Sequence, residues 1–314
     1  MRTMQRIAAL GLPAGWVLML VACGATPAGA GAPGVLAGKK LDHYLGCFNA
    51  VDTRVLLGLR PYMDWMDDPQ AGPTGLESDP MGPADISKRE LTACEASFAA
   101  GLAAQPSMPA LDAAATTYLA ALRRLQPLAH DASTYYARGD HRRDAFARGK
   151  ALHAPLWAAL VDFVPVSTQF SEALEAEVEH ATRARLGGME KTGRTRGYYQ
   201  TALLLEARLL VDDVNEEEDF NVDLAGQRVA AFAAVVNEAR ITVPHLRRGG
   251  RGWEDIDAAA QAFLRESAAR LDVMTARSRL SSEQQAMLDA TLSGSGSVDA
   301  VQAAYDDLLA VVPQ

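Results

Sequence analysis

Apolar residues recur three or four positions apart through most of the chain, and this spacing constrains the fold more than any other feature. Such spacing places apolar side chains on one face of an α-helix. Alanine and leucine, which are strong helix formers, dominate the apolar residues. The sequence therefore predicts an all-α fold, an elongated multi-helix bundle. The predicted helices cover residues 39–60, 87–102, 107–138, 141–186, 195–214, 223–242, 253–279, 281–292 and 298–312.

Glycine and proline mark the predicted breaks between these helices. Residues 67–85 are rich in both and predict an ordered loop. Ser87 and Glu90 have the spacing of a capping box, which predicts a helix start. Gly187 and Gly188 predict a helix end. The segment 187–197 is a place where the bundle could divide into two sub-bundles.

The first 22 residues predict an export signal. Arg2 and Arg6 precede an apolar stretch, residues 7–21, that is shorter than the roughly 20 residues of a membrane span. The stretch ends in Leu-Val-Ala-Cys, which resembles the lipobox of bacterial lipoproteins and implies lipidation of Cys23. A plain secretory signal is the alternative. Three segments follow: a signal peptide (1–22), a lipidated cysteine with a flexible tether (23–38) and a helical domain (39–314).

The charge of the chain limits its partners. The whole sequence carries a net charge of −9, and loss of the leader removes two arginines and no acid. A strongly acidic chain is a poor candidate for nucleic acid, whose binding depends on cationic contacts to phosphate. It also docks poorly on anionic lipid. Membrane attachment is therefore expected through the lipid on Cys23. Gly24, where inner-membrane lipoproteins carry Asp, implies the inner leaflet of the outer membrane, facing the periplasm.

Several short motifs occur in an order typical of one family. Residues 45–49 read Leu-Gly-Cys-Phe-Asn and residues 72–77 read Gly-Pro-Thr-Gly-Leu-Glu, with Tyr62 and Trp65 between them. Further along are Cys94, Tyr135-Tyr136, Asp140, Asp144, Phe146 and the segment 149–153. Together they resemble the YiiG-like bacterial lipoproteins, a family of unknown function. The resemblance implies a helical periplasmic lipoprotein domain, and it implies no reaction, cofactor or catalytic residue.

Cys47 and Cys94 are the cysteines that remain besides Cys23. Two thiols in the oxidising periplasm favour a disulfide. The alternative is a reactive thiol, because His43 lies four residues before Cys47 on the same helical face and an imidazolium there would lower the thiol pKa.

The densest polar set near apolar helices is a candidate ligand or ion pocket between two helices. Hydrogen bonding between helices is the alternative interpretation, since buried tyrosine hydroxyls need partners. The set comprises Tyr135, Tyr136, Asp140, Asp144, Lys150 and His153.

An acidic run follows the helix predicted at 195–214. Charge runs are usually solvated, and the spacing does not match a calcium loop, so these carboxylates are weak candidates for a cation site and no metal is predicted. The run comprises Asp212, Asp213, Glu216, Glu217, Glu218 and Asp219.

The sequence contains no metalloprotease helix motif, phosphate-binding loop or nucleophile elbow. We therefore expect a non-enzymatic binding or scaffolding module of the cell envelope, without a cofactor, whose partner is an envelope protein or a small ligand. A lipoprotein that binds a small ligand or metal ion is the alternative. An enzyme acting on an envelope substrate is a third and weaker interpretation.

Overall fold

The computed structural model describes residues 33–217, 219–246, 252–291 and 293–312. Within these ranges it contains nine α-helices, two short 3-10 turns at Asp140–Arg142 and Val243–His245, and no strand, which confirms the all-α prediction. Cys23 lies outside the described residues. The helices are α1 (Pro33–Met63), α2 (Lys88–Ala103), α3 (Pro109–Ala137), α4 (Ala147–Thr192), α5 (Arg196–Asn215), α6 (Val222–Thr242), α7 (Trp253–Arg277), α8 (Ser282–Thr291) and α9 (Val298–Val311).

The first helix starts earlier than its sequence pattern predicts. The predicted tether extends to Gly38, whereas α1 begins at Pro33. Ala37 already packs against the core of the domain, and burial of apolar surface stabilises this first turn despite its glycine-rich composition. Residues 33–38 of the predicted tether are therefore helical, and residues 23–32 lie outside the described part of the chain.

The start of α2 has the predicted capping box. The Ser87 hydroxyl accepts a hydrogen bond from the Glu90 N–H at 3.2 Å, and the Glu90 carboxylate accepts one from the Ser87 N–H at 2.8 Å. Arg54 of α1 also donates to Glu90 at 2.7 Å. These bonds satisfy N–H groups that have no partner within the helix and connect α2 to α1.

Helices α1 to α4 surround one aromatic core. Phe48 of α1 lies 5.4 Å from Phe170 of α4, measured between ring centroids. Phe98 of α2 stacks on Tyr118 of α3 at 5.8 Å. Such contacts add to the stabilisation from burial of the rings themselves.

The long helix α4 continues past its predicted end. Gly187 and Gly188 lie inside the helix, and the chain leaves it at Gly193, whose positive φ of 109° ends the helix after Thr192. The prediction of a break at Gly187 is wrong, because an interior glycine costs only about 1 kcal/mol and does not by itself stop a helix. This helix is long and apolar enough to span a membrane by length and composition alone. Leu156, Leu160 and Phe163, three of its apolar residues, are buried in the aromatic core.

The chain divides into two compact units, the first ending at Ala181 and the second beginning at Thr182. The boundary falls within α4, a few residues before the segment 187–197 at which the sequence suggested a division. In the second unit, the ring of Phe263 of α7 lies 5.3 Å from Phe232 of α6 and 5.5 Å from Tyr305 of α9.

Candidate functional site

Cys47 of α1 and Cys94 of α2 form a disulfide, with their Cα atoms 5.0 Å apart. Both residues are buried. Close by, the Ser97 hydroxyl donates to the His43 carbonyl at 2.6 Å and makes a second link between the helices. The predicted pairing is confirmed. The reactive-thiol alternative is wrong, because the Cys47 sulfur is bonded and has no thiolate form.

Aromatic and imidazole rings gather where α1 and α3 end and α4 begins. The Tyr62 ring of α1 lies 6.4 Å from Tyr136 of α3 and 6.0 Å from His153 of α4. Trp65 lies 5.4 Å from Tyr136. We call this group the aromatic end of the first unit. It comprises Tyr62, Trp65, Tyr135, Tyr136, His141, Phe146, His153 and Trp157.

His153 is held at the aromatic end by a hydrogen bond of 2.8 Å between its Nδ1 and the Tyr62 hydroxyl. Burial lowers the pKa of His153, and the backbone of Pro69 and Gln70 offsets this only in part. Gly72 packs directly on the ring: its φ is +83°, and an added Cβ would lie 2.4 Å from the imidazole Cδ2. His153 therefore joins α1, α4 and the loop as a neutral ring.

Tyr135 and Asp144 form a second hydrogen bond at this end. The Tyr135 hydroxyl donates to Asp144 Oδ1 at 2.7 Å, and Asp144 Oδ2 accepts from the Arg148 N–H in the first turn of α4 at 3.1 Å. The bond from Tyr135 is the main reason that the pKa of Asp144 is lowered. This geometry agrees with the alternative interpretation, in which the polar set bonds helices to one another.

The predicted six-residue pocket is therefore only partly assembled. Tyr135, Tyr136, Asp144 and His153 lie at the aromatic end. The other two candidates are not part of it. Asp140 pairs with Arg143, three residues further on, and the Lys150 side chain is exposed. Sequence spacing could not show which of the six side chains lie together, because the 3-10 turn at Asp140–Arg142 redirects the chain before α4 starts.

The loop over the aromatic end is organised by Glu77. Its carboxylate accepts hydrogen bonds from the Thr74 N–H at 2.6 Å, the Thr74 hydroxyl at 2.9 Å and the Gly75 N–H at 2.7 Å. Partial burial acts to raise the pKa of Glu77, but these bonds outweigh it and lower the pKa to about 2. The Trp65 indole N–H also donates to the Met81 carbonyl at 2.9 Å, so both ends of this loop are anchored.

Three residues of the aromatic end have buried polar atoms without partners in the described residues, and one of these atoms is Nε2 of His153. The Tyr136 hydroxyl and both ring nitrogens of His141 make no hydrogen bond within the described residues. Each side chain is only 5% exposed. Buried polar groups are normally hydrogen-bonded, so such atoms need an explanation. His141 was not among the predicted site residues. Its sequence signal is its position directly after the Gly139-Asp140 break and next to the tyrosine pair.

A second unforeseen group is the carboxyl of Asp52, which is 1% exposed in the aromatic core. Ser167 of α4 donates a hydrogen bond to it at 2.6 Å. Burial raises the pKa of Asp52 to about 6, although the hydroxyls of Ser167 and Tyr118 act to lower it. The sequence signal is an acid four residues after Phe48, on the apolar face of α1.

We expect the Asp52 carboxyl to make the first unit less stable as the pH rises from about 4 to 6. In this window the unfolded state ionises first and is favoured, by up to about 3 kcal/mol for a shift of about two pKa units. Asp52→Asn should remove this decline. Denaturant unfolding at pH 4, 5, 6 and 7 measures it, with the exposed Asp131→Asn as the matched control. An unchanged pH slope in Asp52→Asn would contradict the assignment.

The acidic run is largely neutralised by arginines. Asp213 accepts from Arg228 at 2.8 Å, and Glu217 accepts from the buried Arg270 at 2.9 Å. Within the described residues, no three His, Cys, Asp or Glu side chains are arranged to hold a metal ion. Glu218 lies outside them. The weak cation-site candidates are therefore not brought together, because helices α6 and α7 place basic groups against them.

Comparison with known proteins places the chain in a family. The uncharacterized protein YiiG of Escherichia coli (strain K12) is 28% identical over 224 residues, which are 71% of this chain and 62% of that protein. The chain thus matches less than two thirds of that relative's length. No solved structure matches. The model of the family described as protein of unknown function (DUF3829) matches residues 36–311, and the chain belongs to this family.

Proposed function

We propose that this protein is a lipid-anchored, non-enzymatic binding module of the bacterial cell envelope. The observation that carries the proposal is the buried Cys47–Cys94 disulfide. Disulfides persist in oxidising compartments such as the periplasm and are rare in the cytosol. The signal-like leader and the Leu-Val-Ala-Cys motif at Cys23 point to the same compartment.

The aromatic end supports a binding role. It has a cavity whose lining includes Tyr136, His141 and two arginines, Arg138 and Arg142. The lining includes no serine, threonine or cysteine that could serve as a nucleophile. His153 is already bonded to Tyr62. A cavity lined by a few polar groups beside apolar ones is typical of a binding site.

Replacement of the anchoring cysteine tests the attachment. We expect Cys23→Ala to move the protein from the membrane pellet to the soluble fraction and to abolish incorporation of labelled palmitate. Stable membrane attachment needs more than one acyl chain or a second membrane-binding signal. Loss of all lipid should therefore release nearly all of the protein from the membrane. Fractionation with immunoblotting measures the distribution.

Two matched variants complete this test. Gly24→Ala should stay in the outer membrane, whereas Gly24→Asp should shift to the inner membrane. Wild-type protein without label, or Cys23→Ala protein that still pellets with membranes, would refute lipid anchoring.

A further inference from the structure

A cavity of about 410 Å³ lies against the end of α3 and the 3-10 turn that follows it. Its other wall is the loop segment 79–81. This loop is anchored near the cavity by the bond from the Trp65 indole to the Met81 carbonyl. The cavity therefore has a defined shape, formed by a helix end, a turn and a fastened loop.

His141 forms part of the cavity wall, and its two ring nitrogens are buried. His141 is only 5% exposed, and neither of its ring nitrogens has a hydrogen-bond partner in the described part of the chain. Its neighbours are the rings of Tyr135, Tyr136 and Phe146, at 5.1–6.4 Å between centroids. These rings give the cavity a rigid wall.

Two arginines line the same cavity. The side chains of Arg138 and Arg142 are exposed, and neither guanidinium group makes a hydrogen bond or an ion pair with the described residues. The two acids nearest to Arg142 in sequence have other partners: Asp140 pairs with Arg143, and Asp144 accepts from the Tyr135 hydroxyl. Guanidinium groups match tetrahedral and planar oxyanions because their N–H donors form a rigid fork.

Negative charge at the cavity is smaller than this positive charge. Asp79 contributes one carboxylate. The C-terminal end of α3 contributes about half an elementary negative charge. One of its last carbonyls, that of Tyr136, already accepts a hydrogen bond from the Gly139 N–H at 3.0 Å. Glu77 and Asp144 also act on Tyr136, one of the lining residues. Among the residues that line the cavity, the two guanidinium groups outweigh Asp79 and the helix end, and this lining favours an anion.

We propose that this cavity binds a phosphate group, held by the guanidinium groups of Arg138 and Arg142. The proposal rests on the proposed binding function and specifies its ligand class. A phosphate has enough acceptor oxygens for several donors at once. Pro80 and Met81 add apolar surface beside the charged groups, so an organic phosphate ester should bind more tightly than inorganic phosphate.

Calorimetric titration of the full chain in mild detergent tests the proposal, with inorganic phosphate and glycerol 3-phosphate as probes at constant ionic strength. We expect saturable binding of both by the wild type, and a loss of about tenfold or more in Arg138→Gln/Arg142→Gln. Arg138→Lys/Arg142→Lys keeps the charge without the fork and should lose less. Arg124→Gln, an exposed arginine of α3 away from the cavity, is the matched control.

Vesicle binding distinguishes a phosphate group of a lipid headgroup from that of a soluble ligand. The full Cys23→Ala chain should sediment with phosphatidylglycerol vesicles in an arginine-dependent way if the group belongs to a lipid headgroup, and should ignore them if the ligand is soluble. Failure of every probe, or equal binding by wild type and Arg138→Gln/Arg142→Gln, overturns the phosphate site. The distribution of Cys23→Ala between membrane and soluble fractions in cells would still test lipid anchoring separately.

Discussion

Reduction of the Cys47–Cys94 disulfide should lower the free energy of unfolding of the first unit by about 4 kcal/mol. The bond closes a loop between residues 47 positions apart, and such a cross-link limits the conformations of the unfolded chain to this extent in the chain-entropy model. Denaturant unfolding with and without dithiothreitol measures the difference. A loss of this size is a large part of the 5–15 kcal/mol typical of a domain.

The matched control for this prediction is Cys47→Ala/Cys94→Ala. This variant should be destabilised by at least as much as the reduced wild type, because it also loses buried sulfur atoms, and dithiothreitol should leave its unfolding unchanged. If wild-type unfolding is the same in oxidised and reduced protein, the bond contributes no stability and the prediction fails.

Asp112→Ala should destabilise the first unit by about 3–5 kcal/mol, because it leaves a buried lysine without its counter-charge. The Lys40 side chain is 0% exposed, and its Nζ lies 2.8 Å from Asp112 Oδ2 and 3.2 Å from the Ala104 carbonyl. The Tyr44 hydroxyl donates to the other oxygen of Asp112 at 2.6 Å. This network connects α1 to the start of α3 and to the turn before it.

A double variant separates loss of the pair from loss of one charge. Lys40→Met/Asp112→Ala should be more stable than Asp112→Ala alone, since no buried charge remains. Asp64→Ala, which breaks the exposed pair with Arg60 at 3.4 Å, should change stability by less than about 1 kcal/mol. Equal effects of Asp112→Ala and Asp64→Ala would show that the buried network adds nothing.

Local signals predicted the helical elements well. Periodicity located every described helix, and Ser87 with Glu90 marked a helix start because a capping box involves only neighbouring residues. The errors came where burial overrides local preference. Residues 33–38 look like a tether by composition but are helical, with Ala37 packed on the core. Gly187 and Gly188 look like a helix end, yet α4 continues to Thr192.

The candidate site was predicted in composition but not in arrangement. Tyr135, Tyr136 and His153 were chosen for their density in the sequence. Their partner Tyr62 lies 91 positions from His153 and could not be assigned to it by spacing. Asp140 and Lys150 share the same stretch of sequence but do not join the aromatic end.

The sequence by itself determined the helical class, because helical spacing is a local pattern. It favoured the pairing of two cysteines over a reactive thiol, and the anchor at Cys23 stays a prediction. Only the tertiary structure decided which polar groups are buried without partners and which arginines face a common cavity. Arg138 and Arg142 are near neighbours in sequence, but the cavity that they line also needs a loop more than fifty residues away. Burial and long-range contact set that arrangement, and neither is visible in local spacing.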